Sequence, residues 1–396
     1  MGRAVTLMLP WIVAALAAAT VAVWLKSGTS KDDSTRAALD VATMLAGESG
    51  EGYLRADGPR EFEFPRDHGP HDGFRTEWWY FTGNVDTASG QAMGYQLTFF
   101  RTALTPRPTA RPSTLAADHI WMAHFALSDI SARRFHAFEH HSREAGDLAG
   151  AGREPLRVWL NDWSAEFDAS GTTILLKARE GNFALDLTLR GSKAPVLNGA
   201  EGLSRKNAVV GGASYYYSMT RLATSGSIEL DGRVHAVEGQ SWMDREWMSG
   251  TLGSEQIGWD WFALQLDDGS EVMCSRMRRS DGTRDAFDSG SIIDAQGKQR
   301  TLTSAEFDLG VLVNWTSPRS KLEYPAGWTL RVPAMRLELE ILPAQADQEL
   351  GLSFRYWEGA VKLLGTRDGK PIAGRGYAEL VGYGSRPPSS AALRAR

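Results

Sequence analysis

Two aspartates stand among indoles in a way that invites proton chemistry. Asp260 lies in Gly258-Trp259-Asp260-Trp261-Phe262, and period-two alternation puts it on the side of Phe262, Leu264 and Leu266, which a core would claim. Burial raises a carboxyl's pKa and keeps on it the proton that a general acid needs. Asp244 lies in Ser241-Trp242-Met243-Asp244-Arg245-Glu246-Trp247, again an acid beside tryptophans, with Arg245 and Glu246 pointing elsewhere or pairing with it. The structural alternative for either aspartate is a turn cap or an acceptor of backbone N–H groups. A third constellation runs from Phe74, where Arg75, Glu77, Trp79 and Phe81 share one face of a strand. There the Arg and Glu form either an anchor for a polar ligand group or a buried ion couple that closes a barrel. Arg75, Glu77 and Trp79, together with Tyr217, Trp242, Trp259 and Trp261, make the candidate ligand-binding set.

Other chemistries find less support. Seven of the eight histidines precede residue 142, but His68 with His71, and His136 with His140 and His141, lack a third ligand set by spacing, so no metal is expected. His119 and His124 fall on opposite faces of one strand, and at most one of them looks into a barrel. No G-x-S-x-G elbow, phosphate loop or dinucleotide fingerprint occurs, and the single cysteine, Cys274, sits in a strand among Met and Arg. No cofactor is expected.

The elements that must position these groups are strands. Beyond about residue 60 apolar residues alternate in short runs separated by Gly, Asp and Ser, as in Phe183, Leu185, Leu187 and Leu189, or Phe262, Leu264 and Leu266 before Asp267-Asp268-Gly269. One face of such a strand is core and the other wet. A first set is expected at 76–85, 93–102, 119–130, 156–168, 172–179, 214–223 and 227–237, and a second at 271–279, 289–293, 309–315, 328–340, 352–364 and 372–381. A weak repeat relates the sets. Trp78-Trp79-Tyr80-Phe81 before Asp86 matches Trp259-Asp260-Trp261-Phe262 before Asp267, and Asp231-Gly232 with Gly239, Trp242 and Asp244 matches Asp368-Gly369 with Gly374, Gly376, Tyr377 and Glu379. Duplication is the simplest account.

The 396 residues carry 14 Trp and 41 Gly beside 16 Pro, a mixture suited to twisted strands and aromatic-lined cavities. Forty-three basic against 48 acidic residues give no electrostatic reason for a nucleic-acid partner. One cysteine excludes an intrachain disulfide. Residues 4 to 25 are almost wholly apolar behind Arg3, long enough to cross a ~30 Å hydrocarbon layer or to serve as a cleaved leader, with Ala17-Ala18-Ala19 as small residues for cleavage. The expected order is a signal or anchor over 1–26, a linker over 27–57 with a short helix near Ala37 to Leu45, one barrel over 58–250, a second over 251–385 and a tail over 386–396.

The stretch Phe64-Pro65-Arg66-Asp67-His68 through Arg75-Thr76-Glu77-Trp78-Trp79-Tyr80-Phe81, with YYYSMTR, EGQSWMDREW, GWDWFALQL and GRGYAELVGY, resembles the AttH-like family over about Phe62 to Tyr383. That family is related to the carotenoid 1,2-hydratases and is also labelled as predicted secreted hydrolases. The resemblance implies an all-β fold of two tandem lipocalin-like antiparallel barrels and an apolar, lipid or isoprenoid-like ligand. Hydration of an isolated double bond needs an acid, a short-lived cation and water. A protonated Asp260 or Asp244 is the expected donor, and each indole face beside the cation is worth ~0.5–2 kcal/mol. Against this enzyme stands an envelope lipid-binding protein without chemistry, ranked first from sequence, exported to the periplasm or beyond, held by residues 4–25 and working with an exporter of the ABC type. The discriminator is an acid at the pocket wall, free of Lys or Arg for chemistry and ion-paired for binding. A hydrolase is a third reading, without a nucleophile motif.

Overall fold

A computed structural model describes residues 50–107, 117–250 and 252–384. The leader, the short helix near Ala37 and the tail over 386–396 lie outside the described residues. Among the described residues no helix is long and apolar enough to cross a membrane.

The fold is all-β, with one nearly closed antiparallel barrel followed by a half-barrel in the lipocalin-like manner. The thirteen-stranded first sheet runs from Thr76–Thr87 to Arg233–Met248, and the ten-stranded second runs from Gln256–Leu266 to Lys370–Val381. Both belong to one compact unit. In each sheet the first strand pairs on one side with the next strand and on the other with the last. Thr76–Thr87 lies between Ala92–Ala103 and Arg233–Met248, and Gln256–Leu266 lies between Glu271–Arg279 and Lys370–Val381. The shared pairing of the first strand with the second and the last agrees with the places where the sequence repeat falls.

Some strands depart from the expected bounds for local reasons. A single strand, Ala213–Leu230, replaces the start of two expected ones, because the reversal falls at Asp231-Gly232, where both residues take positive φ (51° and 77°). The expected 328–340 strand breaks at the 3-10 turn Pro333–Met335, since Pro333 cannot donate to a ladder.

Interior side chains fill each barrel. Trp79, Phe81, Tyr95, Trp121, Phe125, Trp163 and Leu187 share one buried cluster, and Phe262, Leu264, Trp328, Leu339 and Trp357 share another. The expectation of a wet outer face holds for Phe183–Gly191, where Asp186 and Arg190 are exposed, but not for Gln256–Leu266, which is buried on both sides from Trp261 onward. The outer faces of the two sheets cover one another there. Gln265 Nε2 donates to the carbonyls of Thr220 and Ser241 at 2.8 and 2.9 Å, and Asn84 Nδ2 to that of Gly376 at 3.0 Å. Gly94 permits this approach, because a Cβ at that position would stand 2.8 Å from the Tyr377 hydroxyl and 3.0 Å from Ala360 Cβ.

Candidate active site

Where the two outer faces diverge they leave a cleft with about 1020 Å³ of free space, open mouth included. Alternation decides who lines it. In Thr76–Thr87 the residues facing away from the barrel core are Trp78 and Tyr80, and the register sets Glu246 and Asp244 opposite them on Arg233–Met248. Tyr216 joins from Ala213–Leu230 as the partner of Glu246. The second sheet contributes Trp259 and Trp261, with Glu379 paired across the ladder to Trp261.

Asp244 is a buried hub. Its Oδ1 accepts from Ser218 Oγ at 2.5 Å and Trp242 Nε1 at 2.7 Å, while Oδ2 accepts from the Tyr216 hydroxyl at 2.7 Å. The donor roles are set one step further out. Asn198 Nδ2 donates to Ser218 Oγ at 2.8 Å and Trp261 Nε1 to the Tyr216 hydroxyl at 3.0 Å, so both hydroxyls direct their protons at the carboxylate. Burial pushes the Asp244 carboxyl up to about 7, against the pull of these three donors and with a further push from Glu246. No Lys or Arg pairs with it among the described residues, whereas its neighbour Glu246 is held by Lys206 Nζ at 2.8 Å.

Glu379 answers it from the other wall. Its Oε2 accepts from Trp259 Nε1 at 2.8 Å, and burial, aided by Asp244 and Glu246, pushes it also to about 7. Behind it, paired across the ladder, is Glu358, whose Oε1 accepts a hydrogen bond from the Tyr80 hydroxyl and whose Oε2 has no partner among the described residues. Burial, reinforced by the charge of Glu379, pushes the Glu358 carboxyl well above its ordinary value.

The structure brings Asp244, Trp259 and Trp261 to this cleft, with Trp242 adjoining through its N–H and an edge-on ring 6.3 Å from Trp261. The other candidates lie elsewhere. Asp260 faces the second sheet's interior, buried, accepting from the Tyr383 hydroxyl at 2.8 Å with Arg278 Nε 3.9 Å away. Burial raises its pKa while Arg278 opposes. The expected Arg75–Glu77 couple is corrected, because Glu77 instead pairs with Arg101 Nε at 2.6 Å and Arg245 Nη2 at 2.8 Å. Burial works against the Glu77 charge, but the two guanidiniums outweigh it and hold the carboxyl well below its usual range. The Arg75 backbone N–H donates to Ser249 Oγ at 3.0 Å. Trp79 is barrel core beneath the Arg245 guanidinium at 3.7 Å, and Tyr217 meets His68 Nδ1 at 2.6 Å. The common reason is parity. These side chains point into or cap a packed barrel, so the cleft between sheets, rather than a hollow within one, is the open space.

The histidines are also placed by packing. His71 stacks on Trp247 at 3.6 Å, His140 on Trp163 at 4.1 Å, and His124 meets the Tyr356 hydroxyl at 2.7 Å. Among the described residues no group of three or more His, Cys, Asp or Glu is placed to hold a metal.

Sequence reasoning did not single out Trp78, Tyr80, Tyr216, Glu246, Glu358 or Lys206, and treated Glu379 only as part of the repeat. The repeat held the signal. Its alignment of Asp244 with Glu379 and of Trp78 and Tyr80 with Trp259 and Trp261 names both walls of the cleft.

Residues 55–383 match the AttH-like family. The crystal structure of an AttH protein from Nitrosomonas europaea superposes with a TM-score of 0.74 at 35% identity, covering 83% of this chain and 99% of that one. Kievitone hydratase from Nectria haematococca shares the fold at a TM-score of 0.63 and 15% identity, over 86% of this chain and 98% of that one. A curated relative, the dehydratase asqC of Emericella nidulans, is 22% identical over 221 residues, 53% of this chain, and the match spans 61% of the relative's length.

Proposed function

Because the chain belongs to the AttH-like family, in a fold shared with a hydratase, we propose that it adds water to, or removes it from, an apolar substrate held between the two sheets. The observation that carries this reading is the pair Asp244 and Glu379, two carboxyls on opposite walls of one aromatic cleft, each lifted to about 7. Two acids tuned to neutrality, with their charges opposing each other, favour one proton between them.

Roles follow from the donors. Asp244 accepts three hydrogen bonds and Glu379 one, so the environment of Asp244 is built for negative charge and that of Glu379 for the neutral acid. In hydration Glu379 gives its proton to one alkene carbon, and the cation left on the other lies among Trp78, Trp259 and Trp261. Water forms the C–O bond and passes its proton to Asp244. Dehydration is the same path reversed, with Asp244 returning a proton to the leaving hydroxyl and Glu379 removing one from carbon. Asp244, expected from sequence as the donor, is better built as the acceptor in hydration.

The discriminator expected from sequence favours this reading over binding alone, since Asp244 at the wall has no cation partner among the described residues while Asp260, with Arg278 nearby, is outside the cleft. An isoprenoid substrate and placement in the cell envelope through residues 4–25 are part of the proposal. The test is incubation of apolar extracts of the source cells with the protein in heavy-oxygen water. A product gaining one labelled water, or a substrate losing water, must appear with the native chain and vanish with Asp244→Asn. No such product from either protein, with an extracted molecule bound unchanged, would return the chain to the binding class.

A further inference from the structure

We propose that one end of the first barrel seats on an anionic lipid bilayer and opens the cleft directly to it, a reading that deepens the proposed function by naming where an apolar substrate comes from. The hairpin Ala213–Leu230 and Arg233–Met248 defines two ends. At one, Ser214 pairs with Met248; at the other is the Asp231-Gly232 turn. The cleft reaches the first end, where Gly212, Ala213, Met248, Gly250 and Leu252 line it.

Three segments converge there. The first described residue, Gly50, packs against Ser249 at this end. Gly250 packs on Gly211, and Gly211 on Arg55, which brings the loop carrying Val209 and Val210 beside the first segment. Gly52 touches Pro106 and the Tyr53 hydroxyl donates to the Ala103 carbonyl at 3.0 Å, which brings in Leu104. Val210 is 76% exposed, Val209 71%, Leu54 61% and Leu104 53%, an apolar rim around the mouth. Exposed Arg55, Arg107 and Arg205 accompany it, against exposed Glu51 and Asp57.

Apolar side chains at loop tips with arginines beside them suit the boundary of a lipid layer, where the former bury and the latter meet head-group phosphates. A cleft mouth inside that rim lets an oily molecule pass from acyl chains to indoles without crossing water, which removes the desolvation step that limits its capture from solution.

The chain offers a clean probe, since its one cysteine, Cys274, is buried. Val210→Cys and, at the opposite end of the same hairpin, the 67% exposed Val234→Cys each carry an environment-sensitive dye on the full chain. Mixed with phosphatidylcholine–phosphatidylglycerol vesicles containing acyl-brominated lipid, the dye at 210 loses emission and the dye at 234 does not, and the loss shrinks on phosphatidylcholine alone. No loss at 210, or equal loss at both positions, overturns the proposal. So does shielding of the 210 dye in lipid-free solution that rises with protein concentration, which assigns the surface to a second copy. The readout does not involve turnover, so failure here leaves the Asp244–Glu379 reading standing.

Discussion

The Tyr216 hydroxyl accepts from Trp261 Nε1 at 3.0 Å and donates to Asp244 Oδ2 at 2.7 Å, so a first-sheet carboxylate is oriented by an indole of the second sheet. Tyr216→Phe cuts this bridge without changing the ring. It removes one of the donors that favour the Asp244 anion and leaves the Trp261 N–H without an acceptor. Turnover by the variant should fall about 10-fold or more, as one oriented bond worth about 1.5 kcal/mol would give, with apolar ligand affinity retained. Equal loss of affinity and turnover would mean the hydroxyl serves binding alone.

Asp244→Asn and Glu379→Gln should each reduce turnover about 10²–10⁴-fold, the usual worth of a positioned acid or base. Asp260→Asn, outside the cleft and with an amide oxygen still able to accept from Tyr383, should leave turnover of the folded protein within about twofold. Rates on a common substrate check all three, and a crippled Asp260→Asn enzyme with native Tm would move the chemistry to the second barrel.

With both acids at about 7, the rate should pass through a maximum near neutrality, because the singly protonated pair is the working form. Trp242→Phe deletes a donor to Asp244 and Trp259→Phe a donor to Glu379, and either change raises the pKa of its own acid by up to about one unit. In the hydration direction the Asp244 base governs the acid limb and the Glu379 acid the alkaline limb. Each variant should therefore move a different limb upward, as pH–rate profiles in matched buffers would reveal.

Stability carries the same signature. A buried acid whose folded pKa is raised binds its proton in the native chain at pH values where the unfolded chain has lost it. Its stabilising contribution is whole below about 4 and disappears as pH climbs to about 7. Each such group adds a slope of at most about 1.4 kcal/mol per pH unit over that window. The double variant Asp244→Asn with Glu379→Gln should lose less stability than the native chain between pH 4 and 7 in urea melts. Parallel curves would place both pKa values back at ordinary positions.

Glu77→Gln addresses the buried ion cluster of the first barrel. It leaves Arg101 and Arg245 buried without their counter-charge, which typically costs about 3–5 kcal/mol. Chemical denaturation should show that loss, with the catalytic pH optimum unmoved in whatever fraction stays folded.

Much of this was readable beforehand because strands announce themselves by alternation, and Trp78-Trp79-Tyr80-Phe81 and Trp259-Asp260-Trp261-Phe262 do so twice at equivalent places. What alternation cannot say is which of two faces meets another sheet. Asp260 shares parity with Phe262 and Leu264, which predicts an acid at the ligand, yet that side is packed interior, while the side expected to be wet, with Trp259 and Trp261, walls the cleft. The partner of Glu77 was equally hidden, for Arg101 and Arg245 come from strands distant in sequence and adjacent only through the ladder.

One carboxyl rooted in each sheet ties the two halves to a shared fate. Neither sheet carries both acids, so a lineage that lost either copy would keep only half of the proposed proton circuit.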